Sequence, residues 1–163
     1  MNIRNAKFED FEGIVKIYNQ AILAGQKTGD ITPFNTEDRI KWFEEHTPNK
    51  YPILIAEKNG LVVGYLTISS YRPGRMALKH TAEVSYFIHF EYHRQGIASA
   101  LLKYAIDICP SVQIKTLLAI VLETNLASIK LLENFSFEKW GYLPKVADFN
   151  GIELGHLYYG LKV

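Results

Sequence analysis

The run Phe87-Ile88-His89-Phe90-Glu91-Tyr92-His93-Arg94-Gln95-Gly96-Ile97-Ala98-Ser99 is the most informative stretch of this chain. An apolar, aromatic and β-branched segment ends at a polar turn, a Gly-x-Ala step follows, and an amphipathic helix then begins. A strand that feeds a small-residue loop at a helix N-terminus is a device for holding phosphate. The N–H groups of the first helical turn have no partner inside the helix, and the dipole favours negative charge there. Gly96 and Ala98 let an anion come close to the main chain, and Arg94 adds a formal positive charge beside them. No Gly-Lys-Ser/Thr follows, so this is not a nucleotide P-loop. No ribose-binding acid stands at the distance a dinucleotide site needs.

Working outward, hydrophobic periodicity predicts the remaining elements. Ile3 to Lys7 reads as a strand, Asp10 to about Ala24 as a helix, and Gly25 to Asn35 as a polar loop. Thr36 reads as the cap of a second helix running to about His46, with Glu37 and Asp38 in its first turn. Strands over Ile53–Lys58 and Leu61–Ser69 flank Asn59-Gly60, a strong hairpin signal. A basic loop, Tyr71 to Lys79, leads to a strand over Thr81–Phe90. A helix over Ile97–Ile108 stops at Pro110, and a nearly all-apolar strand over Thr116–Leu122 reads as buried on both faces. A helix from Ala127 to about Asn134 and two antiparallel strands, Phe137–Tyr142 and Leu154–Leu161, finish the chain. The strand-helix-strand unit over 81–122 must be a parallel crossover. The rest reads as antiparallel, so the class is a mixed α/β (α+β) sheet sandwiched by helices.

Composition sets limits on function. The 163 residues are 48% hydrophobic and 21% charged, as expected for one globular domain over 1–163 rather than a disordered chain. A formal net charge of +1 gives no global field to recruit nucleic acid or an acidic membrane. The apolar run Leu117 to Leu122 is too short to span a bilayer. One cysteine and no signal-like apolar start predict a cytoplasmic protein. His89 and His93 sit on a strand and in a turn, so helical metal spacing does not apply and no metal site is expected. Cys109, beside Pro110 at a helix end, reads as packing rather than as a nucleophile.

His93-Arg94-Gln95-Gly96-Ile97-Ala98 resembles the Gln/Arg-x-x-Gly-x-Gly/Ala motif of the GCN5-related N-acetyltransferases, with His93 as a departure. Asn125-Leu126-Ala127-Ser128-Ile129-Lys130-Leu131-Leu132 and the following Phe135-Ser136-Phe137 resemble a second motif of that family. Here Leu132 stands where many members carry a tyrosine, and Ser136 where they carry glycine. Phe34-Asn35-Thr36-Glu37, Tyr51 to Glu57 and Thr81 to Ser85 resemble the phosphinothricin and methionine sulfone/sulfoximine acetyltransferase branch. Gly151-Ile152-Glu153-Leu154 lacks the Trp-x-Asp common there. The resemblance implies the family's fold: a mostly antiparallel central sheet with one parallel β-α-β crossover, flanked by helices. It also implies acetyl-CoA as cosubstrate and a homodimer. The diphosphate would sit on the amides of residues 94–99, with Asn125 and Ser128 also at the cofactor; the strand edge at Phe87 and Ile88 is where the amides of the pantetheine arm would pair like an added strand.

Acetyl transfer needs an acceptor for the amine's proton. Strand alternation sets Glu83, Ser85, Phe87 and His89 on one face, and Val84, Tyr86, Ile88 and Phe90 on the core face. Glu83 against apolar sheet is the candidate general base. The competing reading pairs it structurally with Arg72, Arg75 or Lys79, and His80 or His89 are rival bases. Tyr86, Tyr158 and Tyr159 are possible proton donors, and Asn125 is either a helix cap or a ligand of the cofactor. Phe34, Tyr71 and Arg72 are candidates for the substrate pocket, Arg72 gripping a carboxylate. Three functions follow: acetylation of a small amino acid analogue, acetylation of a protein N-terminus, or non-catalytic acyl-CoA binding.

Overall fold

The computed structural model describes residues 1–163. Its elements run β1 (Asn2–Asn5), α1 (Phe11–Leu23), α2 (Ile40–Glu44), β2 (Ile53–Lys58), β3 (Leu61–Ser70), β4 (Thr81–Ile88), α3 (Ile97–Ile108), β5 (Thr116–Leu122), α4 (Leu126–Asn134), β6 (Glu138–Phe149) and β7 (Ile152–Lys162). All seven strands form one sheet in the order β1-β2-β3-β4-β5-β7-β6. Every neighbouring pair is antiparallel except β4 and β5, which are joined through α3.

Two apolar clusters hold helices to opposite faces of the sheet. Leu54, Leu66, Ile68, Ala82, Val84 and Leu117 bury one face against Leu101, Leu102 and Ala105 of α3 and Leu132 of α4. Ile53, Ile55 and Tyr65 bury the other face against Ile14 and Ile17 of α1. The i, i+3 spacing of Ile14 and Ile17 supplies that contact. The alternation predicted for β4 holds through Ile88: Val84, Tyr86 and Ile88 join the α3 side, and Phe87 packs on the α1 side. Phe90 leaves the strand for a short helical turn and is exposed, because the chain has already swung towards α3.

Three further expectations need correction. Thr36 does not cap α2; the Asp38 carboxylate accepts the Asn35 N–H instead, at 3.3 Å. The second helix is one short 3-10 turn followed by five residues. The sixth strand runs seven residues past Tyr142 because Asn150 and Gly151, both with positive φ, close a second tight hairpin onto β7. Pro144 fits within that strand because it falls in the irregularity between Leu143 and Ala147, where the ladder is broken.

Candidate active site

Pairing between β4 and β5 decides where a ligand can enter. Only three registered pairs join them, the last being Glu83 with Leu118. Beyond it β4 continues to Ile88 and β5 to Leu122 with no ladder between them. Main-chain parity fixes what faces the resulting wedge. His89 N–H bonds to Val63 and Tyr71 N–H bonds to Thr81, so the odd-numbered backbone groups of β4 point to β3. The Val84 C=O, both backbone groups of Tyr86 and the Ile88 N–H therefore face the wedge, while the Val84 N–H completes the Glu83–Leu118 pairing. Phe87 contributes its ring rather than its backbone.

Two cavities meet at this wedge, sharing Lys27, Tyr86, Phe87, Asn125 and Ser128 in their walls. The larger, about 710 Å³, runs along Ile88 and the loop from Tyr92 to Ser99. Here the amides of residues 94–99 donate to no group of the protein; the first paired amide is that of Ala100, on the Gly96 carbonyl. Gly96 precedes α3 with φ +75°, and a Cβ built there would touch nothing within 4 Å. Six successive free N–H groups on an open, glycine-bearing helix start fit a diphosphate. Two features brace the loop. The His93 ring pairs through Nε2 with the Ile88 carbonyl at 2.9 Å, a contact its Nε2–H makes, so the predicted departure from the motif has a structural use. Gly64 lets Ile97 approach β3, since a Cβ there would lie 3.1 Å from Ile97 and 2.7 Å from Ile88. Arg94 is exposed on the cavity wall with φ +61°, and Gln95 is tied to Lys58. Ile97, Ala98 and Ser99 line the same cavity.

The second cavity, about 540 Å³, contains Glu83. Its walls come from α1 and the following loop (Tyr18, Lys27, Thr28), from Arg39 and Trp42, from β3 (Tyr65, Thr67, Ser69), from β5 and from β7 (His156, Tyr158). Glu83 has no hydrogen-bond or ion-pair partner, and burial pushes its carboxyl above the usual glutamate range. The predicted ion pair with Arg72, Arg75 or Lys79 is therefore not formed: the ion pairs involve Arg4 and Lys103 instead. His80 and His89 also stand away from this cavity. His80 Nδ1 lies 2.7 Å from the Gln113 carbonyl, and His89 contacts Gln20 on α1. His156 is the histidine that does line it, a position the sequence pattern did not single out.

The other candidates separate cleanly. Tyr71 and Arg72 line a third cavity with Arg75 and Lys79; it touches the Glu83 cavity only at Trp42 and Ser69. Phe34 lies in neither, and stacks on Tyr18 at the edge of the Glu83 cavity with centroids 6.2 Å apart. Asn125 caps α4 by accepting the Ser128 N–H at 3.4 Å, while lining both main cavities. Among the tyrosines, Tyr159 donates to Glu133. The Tyr86 hydroxyl is buried with no partner, and burial raises its pKa to about 12, with nearby Ser128 opposing the shift. Cys109 is fully buried; its thiol donates to the Ala105 carbonyl, and burial raises its pKa to about 11, so it holds its proton.

Residues 14–137 match the model of the acetyltransferase (GNAT) family. YwnH of Bacillus subtilis is 37% identical over 152 residues, covering 93% of this chain and 92% of YwnH. An L-methionine sulfoximine/L-methionine sulfone acetyltransferase of Pseudomonas aeruginosa is 30% identical, covering 89% of this chain and 84% of its own length. The crystal structure of a phosphinothricin acetyltransferase from Sinorhizobium meliloti in complex with AcCoA superposes with a TM-score of 0.92 at 26% identity, over 99% of this chain and 88% of that one. The wedge, the free-amide loop and these matches agree: the chain belongs to the acetyltransferase (GNAT) family, and is an acyltransferase.

Proposed function

We propose that this single-domain chain transfers acetyl from acetyl-CoA to the primary amine of a small amino acid or analogue, of the methionine sulfone/sulfoximine or phosphinothricin type. The observation that carries the reading is the junction of the two cavities: free amides at one end, an unpaired, half-buried carboxylate at the other, and an open strand edge between them. Acetyl-CoA supplies an acetyl group activated as a thioester. The amides of residues 94–99 and the α3 dipole hold the diphosphate, with Arg94 adding charge. The backbone N–H and C=O of Tyr86 and the Ile88 N–H pair with amides of the cofactor arm, as an added strand would. Asn125 and Ser128 of α4 close the far side of the wedge. Glu83 takes the proton from the amine, directly or through one water, so that the neutral nitrogen attacks the thioester carbon; the C–S bond then breaks and coenzyme A leaves as a thiolate that takes a proton from solvent. A carboxyl with a raised pKa is the stronger base for that task. The assembly is proposed to work in the cytoplasm as a homodimer.

Thioester consumption measured against a panel of amines tests this. Methionine sulfone and phosphinothricin are expected to turn over. Turnover confined to peptides with a free N-terminus would instead indicate a protein N-terminal acetyltransferase. Acetyl-CoA binding without turnover of any amine would indicate an acyl-CoA-binding module.

A further inference from the structure

We propose that His46 is a positioning residue: acting through Ser69, it sets the direction of the hydrogen bond that Glu83 meets and so keeps Glu83 a proton acceptor. The catalytic use of this chain rests on the acetyltransferase reading above, while the chain itself rests on geometry.

Ser69 and Glu83 oppose each other across the β3–β4 ladder, and both line the same cavity. Directly opposed residues carry their side chains on one face, with Cβ atoms about 5 Å apart. On its other side Ser69 meets His46, two residues past α2, with Oγ 2.9 Å from Nε2. His46 Nδ1 lies 2.7 Å from the Trp42 carbonyl, which can only accept, so Nδ1 carries the hydrogen. In the neutral ring Nε2 is then an acceptor, and the Ser69 hydrogen is committed to it. The Trp42 ring packs on the imidazole, with centres 4.9 Å apart. Ser69 therefore shows Glu83 lone pairs and no hydrogen.

An ionised Glu83 and a committed hydroxyl are both acceptors, and no hydrogen bond joins them here. Once Glu83 has taken a proton it becomes a donor, and Ser69 accepts from it directly or through one water. A hydrogen bond open only to the protonated form strengthens proton binding. Protonating His46 would reverse the direction. Its Nε2–H would donate to Ser69, whose own hydrogen would turn to the Glu83 carboxylate and favour the charged form. Burial pushes the His46 pKa below the usual histidine range; the Trp42 carbonyl and Glu45 oppose that shift, and Arg39 adds to it. Lys50, Arg72, Arg75 and Lys79 line the third cavity with His46, and their charges also disfavour an imidazolium there. The ring is thus held neutral, in the state that keeps Ser69 an acceptor. The Glu83 cavity also carries Lys27, Arg39 and His156, whose fields stay the same in every variant below.

The test reads the proton on Glu83 directly, by ¹³C NMR titration of its carboxyl in the free protein, with Glu83→Gln assigning the signal. Ser69→Ala removes the acceptor and should weaken proton binding about 2- to 10-fold, the range of one net hydrogen bond. His46→Phe frees the Ser69 hydrogen to donate to the carboxylate, and should weaken it further, about 10-fold or more in all. The double variant His46→Phe/Ser69→Ala should match Ser69→Ala, because His46 acts only through that oxygen. Ser69→Thr keeps the hydroxyl and should stay within about twofold of wild type. If His46→Phe does not fold, the Ser69→Ala and Ser69→Thr pair decides. In turnover assays the acid limb of kcat/KM should move to lower pH in the same order. Two results would overturn the proposal and leave the acetyltransferase reading standing. The Glu83 titration could be the same in wild type and Ser69→Ala. Adding His46→Phe to Ser69→Ala could weaken proton binding again, which would mean that His46 acts by packing or charge. A wild-type protein that binds acetyl-CoA by calorimetry yet acetylates no amine would overturn that reading, and with it the catalytic use of the chain.

Discussion

The two cavities that meet at the β4–β5 wedge are made of different material. The larger cavity, proposed for the cofactor, offers the free main-chain amides of the continuous stretch 86–99, with one turn of α4 and with Ala21 and Lys27 also on its wall. The Glu83 side is mostly side chain, gathered from α1, α2, β3, β4, β5 and β7. A site built from backbone depends on a local conformation, and tolerates changes in side chains such as His93. A site built from side chains depends on tertiary placement. Damage to one should therefore differ in kind from damage to the other, and four substitutions sharpen that contrast.

The largest effect is expected at Glu83. Glu83→Gln should lower kcat by about 10²–10⁴-fold while leaving acetyl-CoA affinity intact. Burial raises the Glu83 pKa, so a proton is lost only above the ordinary glutamate range. As pH falls through that raised value the base is protonated, and kcat/KM should fall with it; the variant should lack this acid limb. The same sign governs stability: burial of the charged form is a cost that disappears at low pH, so this group favours folding below its unfolded pKa and loses that contribution as pH rises through the folded one. Equal turnover by wild type and Glu83→Gln at saturating amine would remove Glu83 from the chemistry.

Gly96→Glu attacks the other side. It sets a carboxylate among the six free amides, and φ +75° adds strain. Acetyl-CoA affinity should fall at least about tenfold, since the loop's positive field is cancelled where the diphosphate would lie. The fold should persist because the position is exposed and no atom crowds it. Calorimetry showing unchanged affinity would dismiss the loop as the anion site.

This contrast also explains what could be read from the chain. The Ile97–Ile108 helix and the Thr116–Leu122 strand match the observed bounds, and the Gly-x-Ala step marks the free amides, because each depends on neighbouring residues. Arg39, Trp42 and His156 were not legible as one site: they lie more than a hundred residues apart at the extremes and converge only through the sheet order. Arg72 attracted attention as a loop arginine near the right strand, but its loop turns towards a separate cavity. A different kind of omission affects β6. Asn150-Gly151 carries the same signal as Asn59-Gly60, and Pro144, which a regular ladder would not accept, falls where the pairing with β7 is broken.

Tyr86 sits where the two cavities join and separates stability from function. Its hydroxyl is buried without a partner, a state that costs about 1–3 kcal/mol of desolvation. Tyr86→Phe removes that atom and keeps the ring packed in the core. Urea unfolding should therefore show equal or greater stability, by up to about 2 kcal/mol. A clear loss of stability would mean that the hydroxyl has a partner in solution.

The smallest effect compares the ends of the two helices that flank the wedge. Gly96, before α3, and Ser136, after α4, share a left-handed backbone, with φ of 75° and 63°. At Ser136 the hydrogen bonds define the motif: its N–H bonds to Glu133 and that of Phe137 to Leu132, each at 3.0 Å, a Schellman ending whose left-handed position favours glycine. The Ser136 side chain is exposed and makes no hydrogen bond that would offset its strain. Ser136→Gly should then stabilise the protein by about 0.5–1 kcal/mol, the relief of the Cβ clash less the greater entropy that glycine loses on folding. Kinetic constants should not move, because neither cavity includes Ser136. Destabilisation by this change would show that the hydroxyl, not the backbone, decides how α4 ends.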